Sequence, residues 1–259
     1  MKEQLKIAYF QQDIAWEDPQ ANYAMVERAF ATVSDADILV VPETFSTGFS
    51  DNMARMAQPP ESPTLEFARQ MARTKDALFV ATWTVLDQGV VYNRMHLVFP
   101  DGSYEYYDKA HTFRMSSEHA QLGRGSRRVV TQFRGWRIKP AICYDLRFPK
   151  WLRNDRAGEE ALSYDLLILS ANWPGSRHEA WSTLLRARAI ENLCYVVGVN
   201  RVGTDGVGIP YTGNSAVIDF KGQPVSECDP SASQVQEAVL DAQRLAKFRS
   251  HWPFYLDFD

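Results

Sequence analysis

Short apolar runs alternate along the chain with segments of helical periodicity. The run at residues 5–11 predicts a strand, Asn22 stands where an N-cap begins a helix over residues 23–34, and the run at residues 36–43 predicts a second, buried strand. The opening of the chain is therefore predicted to be a β-α-β unit.

The same alternation continues to the C-terminal part of the chain. Residues 62–75 predict a helix, and residues 101–111 carry an Asp-Gly turn between two strands. Further strands are predicted at 77–86, 91–99, 137–142, 162–173, 195–203 and 215–227, and a further helix at 178–193. Strands that alternate with helices but are also joined by hairpins predict an α/β fold in which two mixed sheets pack together with helices outside. No linker or repeat divides the chain, so a single domain over residues 1–259 is predicted.

Composition and charge exclude several classes of protein. The 259 residues are 45% hydrophobic and 23% charged with a net charge of −4, which is typical of a globular protein and gives no general attraction to nucleic acid or membrane. The N-terminus lacks the apolar stretch of a secretory signal, so we expect a cytoplasmic protein. The three cysteines form no CxxC pair, which argues against a disulfide framework or a structural zinc site.

One cysteine stands at a position where α/β enzymes expose nucleophiles. Cys143 directly follows the predicted strand at residues 137–142, and free backbone N–H groups at such a strand end can stabilise a thiolate and an oxyanion. A small buried hydrophobic residue is the alternative for a free cysteine.

An acid and a base stand at two other strand ends. Glu43 follows one apolar run and Lys109 follows another. A glutamate beside a thiol can take its proton, and a nearby lysine favours both thiolate and oxyanion. The alternative for each is a surface charge where a strand meets a loop.

Three segments carry a resemblance to a known family, namely VPETFSTGF around Glu43, YDKAHTF around Lys109 and ICYDLRFP around Cys143. In order and separation they resemble the three signature segments of the nitrilase superfamily of carbon–nitrogen hydrolases. The resemblance implies that Cys143 is the nucleophile, Glu43 the general base and Lys109 the oxyanion-stabilising residue, with no metal or organic cofactor. It also implies an αββα sandwich of two mixed sheets flanked by helices, in accord with the pattern.

The resemblance extends over nearly the whole chain and implies supporting features. EHAQLGRG resembles the segment that carries a second glutamate, here Glu118, which would hydrogen-bond Lys109. The backbone N–H of Tyr144 would be a second oxyanion donor. Family members commonly pair, which implies a homodimer or higher homo-oligomer, and a C-terminal tail from about residue 244 could reach the partner; an aromatic tail can equally dock on its own core.

The letters around the cysteine narrow the expected substrate. CYDLRFP, HTFRM, SANWP and NRVGTDG resemble the omega-amidase branch, which hydrolyses the terminal amide of 2-oxo acids such as 2-oxoglutaramate and 2-oxosuccinamate. Their carboxylate needs a cation, for which Arg147 and Arg114 are candidates, although Arg147 could instead form a structural ion pair with Asp145. Phe113 and Trp173 could form aromatic walls of the pocket or belong to the core.

Three other functions remain open on the sequence. An N-carbamoyl amide hydrolase would use the same three residues and release carbon dioxide together with ammonia. An amidase for deaminated glutathione would need a longer pocket. A binding protein of a different class could keep the sandwich without catalysis.

Overall fold

Two six-stranded β-sheets pack face to face with helices on their outer faces in the computed structural model, which describes residues 1–155 and 162–257. The strands are β1 Gln4–Gln11, β2 Ile38–Val40, β3 Leu78–Asp87, β4 Val90–Val98, β5 Tyr104–Asp108, β6 Thr131–Phe133, β7 Trp136–Ile142, β8 Leu166–Ala171, β9 Tyr195–Asn200, β10 Val202–Thr204, β11 Pro210–Thr212, β12 Ala216–Ile218, β13 Pro224–Glu227 and β14 Gln234–Asp241. The helices are α1 Pro19–Ala31, α2 Met53–Met56, α3 Pro63–Lys75, α4 Glu118–Gln121, α5 Pro149–Leu152, α6 His178–Asn192 and α7 Ala242–His251. Short 3-10 helices are Cys143–Arg147, Gly175–Arg177 and Phe254–Asp257.

Both sheets are mixed. The first has the order β14-β1-β2-β3-β4-β5, with β1, β2 and β3 parallel and the outer strands antiparallel. The second has the order β13-β12-β9-β8-β7-β6, with β7, β8 and β9 parallel. Parallel neighbours place their carboxyl ends at one edge of a sheet, which is where the candidate chemistry of the sequence lies.

Alternate residues of the central strands face two different cores. In β1, Ile7 and Tyr9 pack in the layer between the sheets, whereas Ala8 and Phe10 pack among residues of α1 and α3. In the second sheet, Leu167 of β8 lies in a third cluster with residues of α6. Strands buried on both faces read as unbroken apolar runs, which explains why the pattern predicts them well. The predicted α/β sandwich of two mixed sheets is confirmed.

The predicted N-cap of the first helix is wrong. α1 begins at Pro19, and the carboxylate of Asp18 accepts a hydrogen bond from the backbone N–H of Ala21 at 3.0 Å. A proline at the first helical position is preset for the helix, so Asp18-Pro19 is the stronger start signal. Asn22 is instead buried within α1, where its amide nitrogen donates to the carbonyl of Ser46 at 2.8 Å and ties the helix to the loop after β2.

The C-terminal part of the chain docks on its own core. The predicted tail from residue 244 begins inside α7, where Leu245 is buried and the ring of Phe248 lies 4.7 Å from that of Phe220. Arg249 donates to Asp165 Oδ1 at 2.6 Å. Beyond α7, the side chain of Trp252 is exposed, and residues 258–259 lie outside the described residues. β14, which the sequence analysis missed, pairs antiparallel with β1.

Within the described ranges, no helix has the length and apolar character needed to cross a bilayer.

Candidate active site

Strand ends bring the three predicted residues to one place. Glu43 lies in the turn that follows β2, Lys109 directly follows β5, and Cys143 directly follows β7. Lys109 Nζ donates to Glu43 Oε1 at 2.8 Å, so strand ends that are far apart in sequence meet in space. We call Glu43, Lys109, Glu118 and Cys143 the charged cluster.

Both oxygens of Glu43 are held. Oε1 accepts from Lys109 Nζ and from Asn93 Nδ2, each at 2.8 Å, and Oε2 accepts from the backbone N–H of Asn172 at 2.8 Å. The side-chain Nδ2 of Asn172 also donates to the backbone carbonyl of Glu43 at 2.6 Å. A fully buried carboxylate is tolerated because these donors replace the lost water, and they fix its orientation.

Glu118 is the second carboxylate on Lys109. The ammonium donates to its Oε1 at 2.9 Å and its Oε2 at 3.0 Å, and the backbone N–H of Phe113 donates to Oε2 at 2.6 Å. Burial raises the pKa of Glu118, against the opposing effect of Lys109. Burial alone would lower the pKa of Lys109, but the carboxylates of Glu118 and Glu43 outweigh it and raise the pKa above its ordinary value. Lys109 therefore stays an ammonium ion at physiological pH.

Cys143 directly follows β7 as the first residue of the 3-10 helix Cys143–Arg147, and its backbone is strained. Its φ is +44°, a left-handed conformation that non-glycine residues seldom adopt. Burial, followed by the charge of the neighbouring Glu43, raises the pKa of the thiol well above its ordinary value, although Lys109 opposes this. At neutral pH the resting group is therefore the thiol, and an attack on substrate requires a base to take its proton.

A buried carboxylate that the sequence analysis did not assign joins the Lys109 and Cys143 segments. Asp145 Oδ2 accepts from Tyr107 Oη at 2.8 Å and from the backbone N–H of Ile142 at 3.1 Å. Its Oδ1 accepts from the backbone N–H of His111 at 3.0 Å and lies 2.7 Å from His111 Nδ1. Asp145 thus clamps the turn after β7 to the loop after β5. The alternative of an ion pair between Arg147 and Asp145 is not what the structure shows.

A pocket of about 580 Å³ opens above the charged cluster, with Lys109 and Cys143 among its lining residues. Of the predicted substrate-binding residues, Phe113, Arg147 and Trp173 line it, as does Tyr144. Arg114 is exposed and does not line it. As part of the first turn of the helix Cys143–Arg147, the backbone N–H of Tyr144 has no earlier carbonyl of that helix to bind.

The sequence analysis missed several residues of this site. Arg177, four residues beyond Trp173, lines the pocket. Asn93 and Asn172 hold Glu43, as described above. The only signal for Asn172 was that it is the Asn of the SANWP segment, and for Arg177 that it lies shortly after that segment. Asn93 lies in the middle of a predicted strand, and a strand pattern gives no indication of a site. The other cysteines, Cys194 and Cys228, are buried and do not line the pocket.

The chain is similar to known proteins over nearly its whole length. The carbon-nitrogen hydrolase family model matches residues 6–250. The chain is 40% identical to the omega-amidase YafV of Yersinia enterocolitica, over 98% of this chain and 97% of that protein, and 31% identical to the 2-oxoglutaramate amidase of Bacillus subtilis, over 97% and 96%.

Solved structures show the same fold. The CN-hydrolase superfamily protein XC1258 from Xanthomonas campestris, whose structure carries an arsenic adduct in its active site, is 41% identical and superposes with a TM-score of 0.94 over 99% of this chain and 97% of that chain. Nit3 of Saccharomyces cerevisiae, of the nitrilase superfamily, is 24% identical, with a TM-score of 0.85 over 97% and 95%. The predicted amidase class is confirmed, and the chain belongs to the carbon–nitrogen hydrolase family.

Proposed function

We propose that the protein hydrolyses the terminal amide of 2-oxo dicarboxylic acid monoamides, such as 2-oxoglutaramate and 2-oxosuccinamate, to the 2-oxo acid and ammonia. The observation that carries the proposal is the charged cluster at a pocket that is also lined by Arg147, whose guanidinium has no acidic partner in the described part of the chain. The names of the two amidase relatives support the substrate class.

In the first step, Cys143 attacks the amide carbonyl. Because its raised pKa keeps the thiol protonated, Glu43 accepts the Sγ proton as the carbon–sulfur bond forms. The carbonyl oxygen becomes an oxyanion, which Lys109 Nζ and the backbone N–H of Tyr144 stabilise. Glu118 keeps Lys109 directed towards the reacting atoms through its two hydrogen bonds.

In the second step, the tetrahedral intermediate collapses. Glu43 gives its proton to the leaving nitrogen, the carbon–nitrogen bond breaks, and ammonia departs from a thioester on Cys143. Glu43 then removes a proton from a water molecule that attacks the thioester carbon. When the second intermediate collapses, the carbon–sulfur bond breaks, the proton returns to sulfur, and the 2-oxo acid is released.

Arg147 provides the cation for the substrate carboxylate. Its guanidinium carbon lies 4.9 Å from the ring centroid of Trp173, and it has no acidic partner among the side chains that the structure describes. Stacking on an aromatic ring orients a guanidinium without neutralising it, so its N–H groups stay available to a carboxylate.

Ammonia release from a panel of amides tests the function. The panel comprises 2-oxoglutaramate, 2-oxosuccinamate, glutamine, a carbamoyl amino acid, deaminated glutathione and a simple nitrile. The variants are Cys143→Ala and, as a matched control, Cys194→Ala, whose sulfur lies buried away from the pocket. We expect a strong preference for the two 2-oxo amides, abolished in the first variant and kept in the second.

Other outcomes would select other functions. Preference for the carbamoyl compound, with carbon dioxide released, would replace the proposal by a carbamoyl amide hydrolase. Preference for deaminated glutathione would indicate a longer substrate. If no compound of the panel released ammonia, and Cys143 reacted with iodoacetamide only after unfolding, a binding protein would be favoured.

A further inference from the structure

A second guanidinium without an acidic partner lines the same pocket. Arg177, the residue before α6, is exposed and, like Arg147, makes no side-chain hydrogen bond or ion pair within residues 1–155 and 162–257. By contrast, Arg137 is ion-paired with Asp165 at 2.8 Å. Within the described residues, these two guanidiniums of one pocket are thus available to an anionic ligand.

The acidic residues of the pocket are already engaged elsewhere. Asp205 accepts from the backbone N–H groups of Val207 at 3.1 Å and Ile209 at 2.8 Å, and from Tyr211 Oη at 3.0 Å. Asp51 Oδ1 accepts from Ser117 Oγ at 3.1 Å. Within residues 1–155 and 162–257, neither carboxylate forms an ion pair with Arg147 or Arg177, so these carboxylates do not occupy the two guanidiniums.

Each guanidinium lies over an aromatic ring that lines the pocket. Arg147 stacks on Trp173, whose indole N–H donates to the backbone carbonyl of Arg177 at 2.9 Å. The guanidinium carbon of Arg177 lies 5.6 Å from the ring centroid of Phe113. We call Phe113, Arg147, Trp173 and Arg177 the arginine wall. Each ring restricts the position of the guanidinium that lies over it and leaves the charge of that guanidinium unpaired.

We infer that Arg177 is a specificity-determining residue that forms, with Arg147, a paired-guanidinium subsite for the anionic end of the substrate. The inference rests on the proposed function in that it assumes an anionic amide. A 2-oxo acid presents two carboxylate oxygens and an adjacent keto oxygen, which together suit two planar guanidinium donors better than one. Arg177 thereby selects anionic amides over neutral amides of the same length.

Steady-state kinetics on two substrates of equal length but different charge test this role. We compare 2-oxoglutaramate with pentanamide, an uncharged amide of equal chain length, in wild type, Arg177→Gln, Arg177→Lys and Arg114→Gln. Arg114 is the matched control because it is exposed and does not line the pocket. We expect Arg177→Gln to lower kcat/KM for 2-oxoglutaramate by about tenfold to a hundredfold, the range of a hydrogen bond to a charged group, mainly through KM.

The other measurements should separate specificity from structure. In Arg177→Gln, kcat/KM for pentanamide should stay within about threefold of wild type. Arg177→Lys should recover part of the lost kcat/KM for 2-oxoglutaramate, because it keeps the positive charge. Arg114→Gln should leave kcat/KM unchanged for both substrates. If Arg177→Gln lost equal factors of kcat/KM on both substrates, or lost none on 2-oxoglutaramate, the proposed subsite would be overturned.

A binding measurement separates this inference from the proposed function. The concentration of 2-oxoglutarate that protects Cys143 from iodoacetamide should rise about tenfold to a hundredfold in Arg177→Gln. This result can be obtained even if the wild type does not hydrolyse 2-oxoglutaramate, an outcome that would refute the proposed function alone. Unchanged protection in Arg177→Gln would refute the subsite, whatever the substrate of the enzyme.

Discussion

In the charged cluster, Glu43, Lys109 and Glu118 are buried, and Lys109 is ion-paired with both carboxylates. On the arginine wall, Arg147 and Arg177 are exposed and have no acidic partner among the residues that the structure describes. Buried charges are stable only when paired, so the cluster is fixed before substrate arrives. The guanidiniums of the arginine wall are instead available to bind an anionic ligand. The contrast separates two tasks, with bond-breaking chemistry in the cluster and substrate choice on the wall.

The contrast also explains how one set of reacting groups can serve several substrates. In the proposed mechanism, the residues of the charged cluster contact only the amide group of the substrate. Substitutions in the cluster should therefore alter the turnover of every amide. Changes on the wall should alter some amides and spare others. The following predictions use this difference, beginning with the largest expected effect.

Replacing the proposed base should remove most turnover. Glu43→Gln keeps the size and one acceptor oxygen of the side chain but cannot take the Cys143 proton, so we expect kcat to fall by about a hundredfold to ten-thousandfold on charged and neutral amides alike. Ammonia release measures the loss, and thermal unfolding shows whether the variant remains folded. A folded variant within threefold of wild type would contradict the role.

Alkylation of the free enzyme should report the raised pKa of Cys143. Since burial and Glu43 keep the thiol protonated at neutral pH, the rate of reaction with iodoacetamide should increase about tenfold per pH unit between pH 7 and 9. Glu43→Gln should shift this profile to lower pH, because the neighbouring negative charge is removed. A wild-type rate that is already constant near pH 7 would indicate a preformed thiolate.

Weakening the clamp that Asp145 forms between the turn after β7 and the loop after β5 should reduce turnover less than Glu43→Gln does. Asp145→Asn cannot accept all the hydrogen bonds from Tyr107, Ile142 and His111, so Lys109 and Cys143 should lose alignment and kcat should fall by about tenfold to a hundredfold. The effect should be the same for 2-oxoglutaramate and pentanamide, unlike that of Arg177→Gln.

A matched control for Asp145→Asn is Asp35→Asn, which removes an exposed carboxylate paired with Lys6. We expect unchanged kcat there, because surface ion pairs contribute little. A folded Asp145→Asn enzyme with wild-type kcat would show that the clamp does not position the reacting groups.

The sequence predicted the cluster far better than the wall. Glu43, Lys109 and Cys143 each follow an apolar strand, and buried strands are marked by unbroken apolar runs. Arg177 follows no such run, and its proximity to Phe113 arises only when the β5 and β8 ends meet in space. Arg114, a candidate because it is near Lys109 in sequence, lies outside the pocket, since sequence distance does not determine which way a loop residue faces.

Competing or weak local sequence signals explain the errors in the predicted secondary structure. Asn22 is a good N-cap residue type, but Asp18 followed by Pro19 starts the helix earlier. β14 was missed because it is an edge strand with several exposed positions, among them Val239, so its apolar pattern is weak.

The central claim is that catalysis passes through a thioester on Cys143, and intact-mass spectrometry of a rapidly quenched reaction tests it most directly. With 2-oxoglutaramate in excess, we expect a species heavier than the free enzyme by the mass of the substrate minus ammonia, and peptide mapping should locate the adduct on Cys143. The species should be absent from Cys143→Ala. Steady turnover without any adduct, or an adduct on Cys194 or Cys228, would contradict the account.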